Sequence, residues 1–147
     1  MTRSVRRGLA LVSIASLLMA CSSGPSAGPI AATVKEWQIS LSSTVLKAGA
    51  LTFNITNGGD KEHEFVIRKT DLTSDKLPLN AAGEVSEDAT ELTEVGDPSE
   101  VAEIASGSSD RTITVTLQPG HYVIFCNLHV EDLLHYQKGM HVDFTVQ

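Results

Sequence analysis

Leu51-Thr52-Phe53-Asn54-Ile55-Thr56 alternates apolar and polar side chains without a break. In an extended chain successive side chains point to opposite faces, so this run offers Leu51, Phe53 and Ile55 to one side. It reads as a strand with one face in a core and the other in water. The same period of two recurs outward along the chain. Trp37, Ile39 and Leu41 precede it, and His63, Phe65 and Ile67 follow. Ile113, Val115 and Leu117 repeat the pattern, as do Met140, Val142, Phe144 and Val146 at the end. Asn57-Gly58-Gly59-Asp60 and Gln118-Pro119-Gly120 supply turns between runs. No long stretch has helical periodicity. The chain is predicted to be all-β, a sandwich or barrel.

Residues 70–110 break the pattern. Acids from Asp71 to Glu103 are scattered among Ser, Thr, Ala and Gly, with apolar clusters at Leu77-Pro78-Leu79 and from Val101 to Ile104. The segment reads as a long, partly irregular acidic insertion with one short strand, its acids forming a solvated face.

The N-terminus is of another kind. Arg3, Arg6 and Arg7 stand without an acid before an apolar stretch from Leu9 to Ala20, interrupted by Ser13 and Ser16. That stretch is too short for a stable membrane span and fits a signal peptide. It closes on Leu18-Met19-Ala20-Cys21, which resembles the bacterial lipobox. Residues 1–20 are therefore read as a lipoprotein signal peptide, with Cys21 the lipidated new N-terminus. Arg6-Arg7 hints at twin-arginine export without its full flanking pattern, and the export route stays open. Residues 21–31, rich in Ser, Gly and Pro, read as lipidated Cys and flexible tether, reaching at most about 35 Å. Residues 32–147 remain as one domain. The expected location is the bacterial cell envelope, periplasmic or on the outer surface.

The chain holds 11 basic and 18 acidic residues, a net of −7 with histidine neutral. Three of the basic residues and no acid lie in residues 1–20, so the mature chain stands at −10. Such a surface argues against nucleic acid and suits basic partners or simple solubility. Cysteine arithmetic points further. There are two cysteines, Cys21 and Cys126, and lipid on the first leaves the second without a disulfide partner. An unpaired thiol in an exported protein is either a buried structural residue or a metal ligand.

The strand pattern places the other candidate ligands. His63 and Met140 point inward at the starts of their strands, and Cys126 ends the run Tyr122-Val123-Ile124-Phe125-Cys126. One loop joins Cys126 to Met140 and carries His129 and His135. Strand ends and the loop between two later strands can converge on one pole of a sandwich. Two His, one Cys and a weak axial Met make the ligand set of blue-copper electron-transfer sites. Thiolate and thioether favour Cu(I), and imidazole suits both oxidation states. Each residue alone has an ordinary structural explanation, a hydrogen-bonded core histidine, a core methionine or an inert buried thiol. His121 is expected to be exposed, His141 to face away from Met140, and Trp37 to belong to the core.

In order along the chain, Asn57, His63-Glu64-Phe65, Thr70-Asp71-Leu72, Leu117-x-Pro119-Gly120-x-Tyr122, Cys126-Asn127-Leu128 and His135-Tyr136-x-x-Gly139-Met140 resemble bacterial cupredoxin domains of the plastocyanin/azurin-like group. The resemblance covers most of residues 34–147. It implies a cupredoxin-like Greek-key β-sandwich and, as metal ligands, His63, Cys126, His135 and Met140. The loop departs from the family pattern. Cys126 and His135 are separated by eight residues, where the family commonly has a shorter spacing. His135-x4-Met140 is of the expected kind, and His129 stands as the alternative loop ligand. Val130 to Leu134 would then be an extra flap over the site.

The implied function is a membrane-tethered type 1 copper protein holding one mononuclear copper ion and passing single electrons. Its partner would be a redox protein or a copper-acceptor protein with a basic docking patch. Copper sequestration or delivery is an alternative, and a metal-free β-sandwich binding module is another. An enzyme is not expected. Copper oxidases need further metal centres with several more histidines, and the chain has five in all. No nucleophile–base arrangement suggests hydrolysis.

Overall fold

A computed structural model describes residues 28–96 and 103–147 of the chain. The span read as signal peptide, Cys21 and most of the span read as tether lie outside these described residues, as does Val101 of the insertion. Two sheets face each other. The first is four-stranded in the order β2-β1-β4-β7, built from β1 (Ile30–Lys35), β2 (Gln38–Leu41), β4 (Gly49–Asn57) and β7 (Arg111–Leu117). The second is five-stranded in the order β3-β11-β8-β5-β6. Its members are β3 (Val45–Leu46), β5 (Val66–Lys69), β6 (Thr93–Glu94), β8 (Gly120–Phe125) and β11 (His141–Val146). A separate two-stranded hairpin joins β9 (His129–Val130) to β10 (Leu133–Leu134). β1–β4 and β3–β11 pair in parallel, and the other pairs are antiparallel.

The alternation at residues 51–56 becomes the middle of β4. Leu51, Phe53 and Ile55 are buried, while Asn54 and Thr56 are exposed. Leu51 and Phe53 lie opposite Val115 and Ile113 on β7, and on the outer face Thr52 and Thr114 share a hydrogen bond of 3.1 Å. Phe53 meets Phe65, just before β5, and Phe144 of β11 at ring distances of 5.6 and 6.0 Å. Tyr122 stacks on its cross-strand partner Phe144 at 5.3 Å. This aromatic group bridges the sheets at the centre of the core.

Three readings are corrected by the structure. β1 begins at Ile30, inside the span read as tether, and Ile30 is fully buried. Its partner Phe53 on β4 draws it into the sheet. Trp37 does not continue a strand but lies in the turn between β1 and β2, half-buried. The insertion is more than a solvated face. Its acids Asp71, Asp75, Asp88, Glu91 and Glu94 are exposed, but its Leu77, Val85 and Leu92 are buried against Val66, Val123, Phe125 and Tyr136. They form a second core on the outer face of the five-stranded sheet, to which the segment also adds β6. This explains why β8 is apolar on consecutive positions: Tyr122 and Ile124 belong to the main core, Val123 and Phe125 to the second.

Contacts with the insertion also give two histidines surroundings other than those expected. His141 does face opposite Met140, but the insertion half-covers it, and its Nδ1 lies 2.9 Å from Ser74 Oγ. His121 is half-buried rather than exposed, with Nδ1 2.7 Å from the Thr70 carbonyl and Nε2 3.1 Å from Asp143 Oδ1.

Candidate metal centre

Four segments meet at one pole of the sandwich. His63 precedes β5 and is pinned by a two-way bridge to Ile104: its N–H donates to the Ile104 carbonyl at 3.2 Å, and its carbonyl accepts at 2.7 Å. The bridge rests on Asn57, whose buried amide donates to the carbonyls of Ile104 and Lys61 at 2.8 and 2.7 Å. Cys126 follows β8. Its N–H donates to the Met140 carbonyl at 3.0 Å, and its Sγ accepts the Glu64 N–H at 3.2 Å.

His135 follows the β9–β10 hairpin and opens a short 3-10 turn over Tyr136–Lys138. Its N–H donates to the Leu128 carbonyl, and its own carbonyl accepts the Met140 N–H at 3.2 Å. Gly139 closes that turn at φ +107°, a left-handed conformation that a side chain would strain, and delivers the chain to Met140. Met140 is fully buried in the same core cluster as Cys126. Its backbone is thus bonded to both Cys126 and His135.

His63, Cys126 and His135 are all 0% exposed, and one potential ligand atom from each lies within 4.8 Å of the other two. The two Nδ1 atoms are 3.2 Å apart. Cys126 Sγ is 3.3 Å from Nδ1 of His135 and 4.0 Å from Nδ1 of His63. His129 lies elsewhere. It is exposed on β9, with its Nδ1 3.2 Å from Glu84 Oε1. The extra loop residues do not lie loose but form the hairpin, whose Leu134 and neighbouring Gln137 pack at Gly83 of the insertion.

The electrostatics of this pole follow from its dryness. Burial pushes the Cys126 thiol up to about 11, against the opposing Glu64 and Leu128 N–H groups. Burial likewise holds both His63 and His135 below the ordinary histidine range, and for His135 the neighbouring His63 adds to the effect. Both imidazoles are therefore neutral donors at physiological pH. Three buried lone-pair groups aimed at one another repel unless protons or a cation lie between them. A soft donor set of one thiol and two neutral imidazoles fits a thiophilic metal ion, which replaces the thiol proton on binding.

Sequence reasoning gave no supporting role to the residues that hold this pole from outside. Asn127 and Tyr136, each beside a candidate ligand, reach into the insertion. Asn127 bonds both ways with the Val85 backbone, at 2.7 and 3.0 Å, and donates to Glu87. The Tyr136 hydroxyl donates to the Ser74 carbonyl at 2.8 Å and accepts the Leu77 N–H at 3.0 Å. From the other sheet, the Trp37 ring stands edge-on to His135 at 5.0 Å, and Glu36 Oε1 lies 3.4 Å from His63 Nε2. Burial opposes ionisation of Glu36, but N–H groups of Glu36 itself, Lys61 and Asp60 hold its carboxyl below the usual range. Nothing in the local sequence around Glu36 distinguishes it from the other acids.

No protein-family model and no curated protein matches the sequence. Among solved structures, the dithionite-reduced auracyanin of the photosynthetic bacterium Roseiflexus castenholzii superposes with a TM-score of 0.53. The match covers 84% of this chain and 99% of that one at 21% identity. The chain has the cupredoxin fold. Auracyanin B (TM-score 0.46, 20% identity, 86% of this chain and 95% of that one) is also similar to this cupredoxin fold. So is a multicopper oxidase, at a TM-score of 0.43 and 20% identity, covering 82% of this chain and 41% of that one. Within the cupredoxin fold, His63, Cys126, His135 and Met140 occupy one pole, between strand ends of the five-stranded sheet.

Proposed function

We propose that this chain is a type 1 copper protein that carries single electrons, tethered to a bacterial envelope membrane by lipid on Cys21. The observation that carries the reading is the convergence of Cys126 Sγ with the two Nδ1 atoms of His63 and His135 in a fully buried pole. Those three groups, with Met140 just before β11, would hold the ion. Bound copper would supply a one-electron Cu(II)/Cu(I) couple.

The chain's own residues do the rest. Cys126 gives up its proton on metallation and contributes the soft thiolate, its charge eased by the Glu64 N–H. The backbone bonds among Cys126, His135 and Met140 hold three candidate ligands in one frame, so little needs to rearrange when the electron moves. Burial of all four side chains keeps water out. The acidic mature surface would steer basic redox partners, and exchange with such a partner should slow as salt rises.

The test is to add one equivalent of Cu(II) to the purified chain and record visible and EPR spectra, with Cys126→Ser, His135→Ala and His129→Ala beside it. An intense blue charge-transfer band with narrow copper hyperfine splitting is expected. It should vanish with Cys126→Ser and His135→Ala and persist with His129→Ala. A folded protein with no such band would sink the copper reading and leave the binding-module alternative. Tethering is tested separately: Cys21→Ser should release the protein from the membrane fraction.

A further inference from the structure

The turn between β1 and β2 belongs to the four-stranded sheet, yet it reaches the metal centre of the other one. Its Glu36 carboxylate is fixed from behind. Oε1 accepts the Lys61 N–H at 2.6 Å, and Oε2 accepts the Asp60 N–H at 3.3 Å. Gly59 makes room for it, since any side chain at that position would collide with the carboxylate. In front of it stands His63 Nε2, 3.4 Å from Oε1, fully buried and without a hydrogen bond of its own. Closing that gap by about 0.4 Å would make an ordinary hydrogen bond. The opposite ring nitrogen, Nδ1, is the one turned toward Cys126 and His135.

We propose that Glu36 is a positioning residue for the metal centre. Its carboxylate holds the Nε2 proton of His63, which leaves Nδ1 as the free donor, and its negative charge favours the oxidised ion. The inference rests on the copper reading for its second half only. A carboxylate behind a ligating imidazole sets the tautomer, orients the ring and makes it a stronger donor. Here the carboxylate is itself oriented by two backbone N–H groups, so it arrives with little freedom to lose. Its side chain is 23% exposed, enough for solvent to screen part of its charge but not to remove it.

Two measurements decide it, one of which needs no metal. Nitrogen-15 NMR of the metal-free full chain should show His63 protonated at Nε2. In Glu36→Ala that preference should weaken toward a mixture of tautomers. Gly59→Ala, which keeps the carboxylate but pushes it aside, should behave in the same direction. In the copper-loaded chain, Glu36→Gln should keep the blue band and shift the ratio of Cu(II) to Cu(I) affinity about tenfold toward Cu(I). That is a rise in potential of about 59 mV. Glu36→Asp should recover part of the difference. His63 protonated at Nδ1 in the wild type, or a tautomer indifferent to Glu36, would overturn the proposal. An unchanged potential in a Glu36→Gln protein that keeps its band would overturn the charge effect. If neither wild type nor variant binds copper while the tautomer follows Glu36, the copper reading fails and the positioning role stands.

Discussion

The five-stranded sheet buries both of its faces, and it does so against different partners. Inward, Ile67, Tyr122, Ile124 and Phe144 belong to the main core shared with the other sheet. Outward, Val66, Val123 and Phe125 lie under Leu77, Val85 and Leu92 of a segment whose one strand among the described residues is two residues long, Thr93 and Glu94. The inner face is regular and built by strands that pair over long stretches. The outer face is capped by turns, a 3-10 segment at Ser74–Lys76 and side-chain hydrogen bonds such as Arg68 to Glu87 at 2.6 Å. The candidate ligands sit on the inner side, but the residues beside two of them, Asn127 and Tyr136, are tied to the outer cap. The inner face thus supplies the donors, and the outer cap holds the loop that carries His135.

Stability measurements on single substitutions should break this comparison if it is wrong. The largest effect is expected at the inner centre. Phe53→Ala should cost about 3–5 kcal/mol of global stability, read by denaturant unfolding, because it empties the ring contacts to Phe65 and Phe144. Leu77→Ala on the outer cap should cost less, about 2–3 kcal/mol. Its effect should also be local: hydrogen exchange should quicken across residues 133–138 while β4 and β7 keep their protection. Equal loss of protection in both sheets would mean that the cap and the sandwich open as one unit.

Tyr136→Phe sharpens the link between cap and ligand loop. It strips the Ser74 carbonyl and the Leu77 N–H of their partner, at a cost of about 1–3 kcal/mol. The copper band should survive it and broaden as His135 loses its anchor. A smaller effect per step comes from pH. With the Cys126 thiol held at about 11, metal binding at neutral pH must displace its proton. Apparent metal affinity should therefore fall about tenfold for each unit of acidification. Both imidazoles are held below the ordinary histidine range, so the slope should steepen only at more acidic pH than an exposed histidine would give. Competition titrations from pH 8 down to pH 5 would check both the slope and where it breaks. Smallest of all, His129→Ala should change stability by less than about 1 kcal/mol, since it removes only a partly exposed pair with Glu84.

Much of the sandwich was legible in residue order, and the reasons are local. Alternation at Leu51–Thr56 and Arg111–Leu117 needs one core and one solvent face, and both strands have them. Where a second partner covers the outer face, the signal fades. Val66 and Arg68 are as buried as Ile67, and the period of two cannot show that a distant acidic segment will lie over them. Trp37 misled for a related reason: its spacing from Ile39 and Leu41 suits a strand, while the β1–β2 pairing of Lys35 with Gln38 makes it a turn residue.

At the candidate site, the types and order of the donors were legible. His63, Cys126, His135 and Met140 lie at strand ends and in one loop, and their types, their joint order and the family resemblance together point to that set as a soft metal site. The spacing to Met140 favours His135 over His129 but gives no physical reason for the choice. That choice turns on the hairpin, which leaves His129 outward and returns the chain so that His135 lies beside Cys126. Composition and order determined an all-β chain with a signal-like start, a surplus of acids and a thiol in need of a role. Only tertiary structure decided which nitrogens face the thiol, and that an acid 27 residues before His63 stands behind its ring. Sequence periodicity records which face of an element is buried, whereas the identity of the group that buries it depends on contacts between segments far apart in the chain.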